Sequence, residues 1–117
     1  MATIVLTESA KHLARRLINE MPEYGEPSRL IVAVVWSNGV RDNRRGPGGE
    51  VVWETTEAPG WKSVIAPWVE TPEIPMAQHT VEMDGLTVFV DPRAKSAVGT
   101  LIVDAAEGAL SVVHQSP

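Results

Sequence analysis

The 117-residue chain contains no cysteine. That absence excludes disulfides, thiol nucleophiles and thiolate metal sites. Aromatic residues other than tryptophan are scarce, with one tyrosine and one phenylalanine beside four tryptophans. Long apolar runs are missing too. The longest, Leu30–Trp36, falls far short of the roughly 20 residues that span a bilayer. Basic charge is also in deficit, with 10 Lys and Arg against 15 Asp and Glu and a net charge of −5. Nucleic-acid footprints are basic, so no nucleic-acid partner is expected. Acidic membrane surfaces are disfavoured for the same reason. The opening stretch MATIVLTESAKH lacks the basic start and long apolar core of a secretory signal, so the expected location is the cytoplasm.

What is present is enough for a core. Hydrophobic residues make up 44% of the chain, and a chain of this size buries about 65% of its unfolded surface. We therefore expect one domain over residues 1–117, with no internal repeat. Ile4-Val5-Leu6 reads as a short strand. Thr7 then caps a helix with apolar positions at Ala10, Leu13, Ala14, Leu17, Ile18 and Met21, the stripe of an amphipathic helix, stopped at Pro22. Leu30–Trp36 is apolar on both faces, which points to a strand covered on both sides.

Near the other end, Asp84-Gly85 has the residues of a two-residue hairpin turn. Leu86, Val88 and Val90 alternate with Thr87, Phe89 and Asp91 at the period of a strand. Asp91-Pro92 starts a short helix of one to two turns, and Gly99 stops it. A strand beginning at Leu101-Ile102-Val103, a turn at Glu107-Gly108 and a last strand, Ala109–His114, complete the order.

TIVLTESAKHLARRL, RLIVAVV and DGLTVFVDPRAKSAVGTLIVD, in this order and spacing, resemble the HesB-like family, the A-type iron–sulfur cluster carriers. The resemblance covers roughly half of the chain. It implies an α+β, mostly β fold: a small β-sandwich with an N-terminal amphipathic helix and a short helix after Asp91-Pro92. It also implies dimers or tetramers. The ligand positions depart from the family pattern. Ser37, in Trp36-Ser37-Asn38-Gly39, falls near the family's first cysteine, and the family's C-G-C-G tail has no counterpart before Pro117. A serine hydroxyl stays protonated at neutral pH and is a poor ligand for thiophilic iron. No cofactor is therefore expected, and Ser37 is not expected to ligate.

The middle, residues 41–78, is the divergent part. Arg41, Arg44 and Arg45 surround Asp42 and lead into Gly46-Pro47-Gly48-Gly49, read as an exposed loop or hairpin tip before a strand at Glu50–Thr55. No G-K-[ST] follows, so this is not a phosphate loop. From Glu50 to Asp84 the acids Glu50, Glu54, Glu57, Glu70, Glu73, Glu82 and Asp84 face one base, Lys62. Basic loop and acidic segment suggest pairing between subunits. Pro59, Pro67, Pro72 and Pro75 make the segment an edge strand or extended loop, with Lys62–Ala66 and Trp68–Glu70 as short strand pieces. Trp36 and Trp53 read as core, and Trp61 and Trp68 as interface candidates. His12 is expected to face solvent. His79 and His114 are far apart and show no metal-ligand spacing. No catalytic residue stands out and no metal site is expected.

Three functions follow as expectations. The first is a cysteine-free carrier-like domain acting by contact with a protein, with a second copy of itself as a homodimer, or with a small ligand. The second is a metal-binding protein or metal-dependent enzyme using His79, His114 and carboxylates. The third is a structural subunit of a larger assembly.

Overall fold

The computed structural model describes residues 2–20, 29–69, 72–73 and 75–117. Met21, Pro22 and Glu70, singled out above, lie outside them. The architecture is α+β and mostly β. Strand β1 (Thr3–Leu6) leads through Thr7 into helix α1 (Glu8–Glu20), and the Ala10 N–H donates to Thr7 Oγ1 at 3.1 Å, the expected cap. Ala10, Leu13 and Ala14 are buried on one face of α1, whereas His12 is exposed. The Thr7 hydroxyl also donates to Asp104 Oδ1 at 2.8 Å. One side chain thus starts the helix and ties it to the far end of the chain.

Strands β2 (Leu30–Ser37), β3 (Val40–Arg45), β4 (Val51–Glu57) and β5 (Gly60–Pro67) follow. A 3₁₀ turn at Met76–His79 precedes β6 (Thr80–Met83) and β7 (Leu86–Val90). A second 3₁₀ turn, Pro92–Lys95, precedes β8 (Thr100–Ala106) and β9 (Ala109–Gln115). Among the described residues these strands form three sheets: β5-β2-β7-β6, β1-β8-β9 and the pair β3-β4. Asp84 (φ 49°) and Gly85 (φ 80°) make the expected left-handed turn between β6 and β7.

Side chains from the two larger sheets and α1 meet in one core. Val32, Val34, Val88, Leu101 and Val103 are its largest fully buried side chains. The opposite face of β2 carries a second cluster, Ile31 and Ala33 with Met76 and Phe89. The run Leu30–Trp36 is therefore covered on both sides, as its composition requires.

Three expectations change in detail. After Asp91-Pro92 the chain makes one 3₁₀ turn and not a longer helix, because Ser96 and Ala97 N–H groups donate three residues back, to Arg93 and Ala94 carbonyls. The piece expected at Lys62–Ala66 is part of a longer strand, β5, which pairs with β2 along its length and forms the outer edge of its sheet, whereas Trp68 and Val69 are not in a strand. Trp68 lies beyond its end, where its backbone N–H donates to the Arg29 carbonyl at 2.6 Å. The arginines of the expected loop lie in strand β3, and only Gly46–Gly49 form the turn.

Candidate functional site

Ser37 ends β2 opposite Gly60 and is half-buried. Its Oγ accepts the Gly39 N–H at 3.1 Å, a local turn bond. Gly39 has φ +85°, and a Cβ there would stand 2.5 Å from the Glu57 carbonyl oxygen, so the bend admits only glycine. Trp36 and Trp61 oppose each other across β2 and β5, edge to face with centroids 5.5 Å apart. The Trp36 Nε1–H donates to Asn38 Oδ1 at 3.0 Å. Arg93, Ser96, Ala97 and His114 complete a shallow depression with Trp36, Asn38 and Trp61.

This group is wrong for a cluster or a metal. It offers indoles, an amide, a guanidinium and one imidazole, and the His114 Nε2 lies 2.7 Å from the Val98 carbonyl oxygen. An iron–sulfur cluster needs thiolates, with histidine only occasionally in their place. The residues beside Ser37 do not fit one. His79 lies elsewhere, edge to face with Phe89 at 6.3 Å and lining a separate crevice with Asp91. Among the described residues no three His, Asp or Glu side chains gather as a metal site.

The β3-β4 hairpin is the other candidate. Every residue of β3 is exposed, and of β4 only Val52 is even half-buried. The register sorts its side chains by charge. Arg41 faces Thr55, Asn43 faces Trp53 and Arg45 faces Val51, all on one side. Asp42 with Glu54 and Arg44 with Val52 occupy the other. The Arg41 guanidinium lies over the Trp53 ring, 5.9 Å from its centroid. Arg44 instead pairs with Glu54 at 2.5 Å on the far side. One side of the arm is thus cationic, aromatic and free of acid.

Trp53 corrects the core reading made from the sequence, because it is 57% exposed. A two-stranded ribbon without a covering layer leaves both faces open. The charge alternation Arg41-Asn43-Arg45 against Asp42-Arg44 is the signal that marks the two faces. Within the arm Arg44 pairs with Glu54, and Glu57 at the end of β4 pairs with Lys62 of β5 at 3.2 Å. Trp61 is half-buried against the main core and Trp68 half-buried against the second cluster.

No family model matches this chain, and no curated protein does. Among solved structures, the crystal structure of Escherichia coli SufA, involved in biosynthesis of iron–sulfur clusters, aligns with it at 16% identity and a TM-score of 0.45. The alignment covers 97% of this chain and 77% of that one. Likeness at that level assigns no activity, ligand or partner. No helix among the described residues is long and apolar enough to cross a membrane.

Proposed function

We propose that this domain works by protein contact without holding an iron–sulfur cluster, and that its β3-β4 arm engages an acidic surface on a second copy of the chain. The observation that carries this is the acid-free face formed by Arg41, Arg45, Trp53 and Val51. Trp53 and Val51, each 57% exposed, supply apolar area that a contact would bury. Tryptophan and arginine are the residues that most often dominate binding energy at interfaces. The occupant follows from charge: the chain carries −5 overall, so a second copy offers the complement to a cationic face. Exposed ion pairs contribute about 0–1 kcal/mol each. The arginines therefore orient the contact and the tryptophan holds it.

Sedimentation velocity over a range of protein concentrations tests this. The expected result is a mass above one chain that falls to one chain in Trp53→Ala/Arg41→Ala and weakens in high salt. A single-chain mass at every concentration, or an assembly untouched by both substitutions, overturns the proposal.

A further inference from the structure

Strands β5 and β9 are the outer strands of their sheets, and they lie beside each other without pairing. Between them runs a groove of about 650 Å³ whose lining includes Leu17, Trp61, Ser63, Ile65, Leu110 and Val112. Its size falls within the range of small-molecule sites, and its walls are mainly apolar, as such sites are.

Ser63 is out of keeping with that lining. It is 5% exposed, and its Oγ has no hydrogen-bond partner among the described residues. It lies on β5 opposite Val34, between the core-packed Trp61 and Ile65. A buried hydroxyl without a partner destabilises the fold, and alanine would pack there without that cost. Packing gives no reason for the hydroxyl, whereas a ligand atom would.

We infer that this groove binds a small, neutral apolar molecule carrying one hydroxyl or carbonyl group, which hydrogen-bonds to Ser63. The neutral head follows from the rim. Lys62 and Glu57, which also line the groove, pair with each other at 3.2 Å and leave no free charge for an ionised head. A peptide strand does not fit. The Cα atoms of β5 and β9 approach within 8 Å, whereas an inserted strand would hold its neighbours about 9.5 Å apart. The site touches the β3-β4 arm only at Glu57, the last residue of β4, and does not include Arg41, Arg45, Val51 or Trp53.

Decanol is a suitable probe, titrated into the full chain with amide and indole NMR shifts as the readout. Saturable shifts confined to Trp61, Ser63, Leu110 and Val112 are expected. Ser63→Ala should weaken binding about tenfold, the effect of one hydrogen bond, while melting no lower than the native chain. Leu110→Trp, which fills the groove, should abolish the shifts. Decanoate at neutral pH should bind more weakly than decanol. The inference is overturned if decanol fails to saturate, if the shifts fall elsewhere, if Ser63→Ala titrates like the native chain, or if decanoate binds as tightly.

Discussion

Asp91 serves two elements with one carboxylate. Oδ1 accepts the Arg93 N–H at 3.0 Å and starts the 3₁₀ turn. Oδ2 accepts the Trp36 N–H at 3.1 Å and extends the β2 ladder beyond Val90, where β7 ends. Asp91→Ala removes both acceptors and leaves two backbone donors without a protein partner. The expected loss is about 2 kcal/mol, the sum of a cap and a charge-assisted bond. Asp91→Asn, which keeps one acceptor oxygen, should lose less. Urea unfolding measures both, and equal stability of Asp91→Ala and the native chain would mean that water replaces the carboxylate. Half of this arrangement is legible in the sequence. Asp-Pro is a local signal, and the cap follows from it. The bond to Trp36 spans 55 positions and depends on the parallel pairing of β2 with β7, which no local pattern announces. Trp53 shows the opposite limit. Its size suggests burial, but burial needs a second layer, and only the tertiary structure shows that the arm has none.

The arm is inserted into another hairpin. Strands β2 and β5 pair along their whole length, up to Ser37 opposite Gly60, and everything between those two residues leaves and returns at one point. Nothing in the two core clusters comes from β3 or β4. Replacing residues 38–59 by Asn-Gly should therefore leave β2 and β5 joined as a plain hairpin. The shortened chain should melt within about 5 °C of the native one, the shift that roughly 1 kcal/mol produces in a domain of this size. It should also sediment as a single chain. A shortened chain that fails to fold would show that the arm supports β2 and β5 and does not merely hang from them. Elements with strong local periodicity were the readable ones: α1 from its stripe, β2 from its double-sided run, β7 from its alternation and the β6-β7 turn from Asp84-Gly85. The segment with four prolines was less readable. Proline correctly placed β5 at an edge, but strand continuity through Trp61–Ala66 comes from pairing with β2. The groove was not legible at all, because it arises where two edges from different sheets meet.

At the scale of the whole molecule, side-chain junctions at two places add to the backbone bonds that join the start of the chain to later elements. The Lys11 ammonium pairs with Asp84, and Arg15 donates to the Asp84 carbonyl at 2.8 Å, fixing α1 to the β6-β7 turn. Thr7 and Asp104 fix it to β8. The Lys11 hydrogen bond, reinforced by its charge, holds the Asp84 carboxyl below the ordinary carboxylate value of 3.8. The Thr7 hydroxyl, and then the Ala105 N–H, do the same for Asp104. Lys11 is raised above 10.5, chiefly by its bond to Asp84. Both carboxyls hold protons more weakly folded than unfolded, so their stabilisation is present above pH 3.8 and is lost as pH falls through their lowered folded values. The Lys11 contribution is present below pH 10.5 and is lost as pH rises through its raised folded value. The contributions of these three groups should thus be fully present between these limits and fall away outside them. Asp104→Asn should flatten part of the acid limb in urea titrations at successive pH values, and an unchanged acid limb would show that Asp104 does not couple to folding. The sheet that carries Asp104 also sets an order of events. Strand β1 pairs in parallel with Thr100–Val103, its register partners in β8, so Thr3 meets a residue 97 positions later. Loop closure on that scale must precede the pairing, and topologies dominated by such distant contacts fold slowly. On the ribosome, β1 therefore emerges well before β8 and waits unpaired for it, and α1 can dock fully only once β8 has been made.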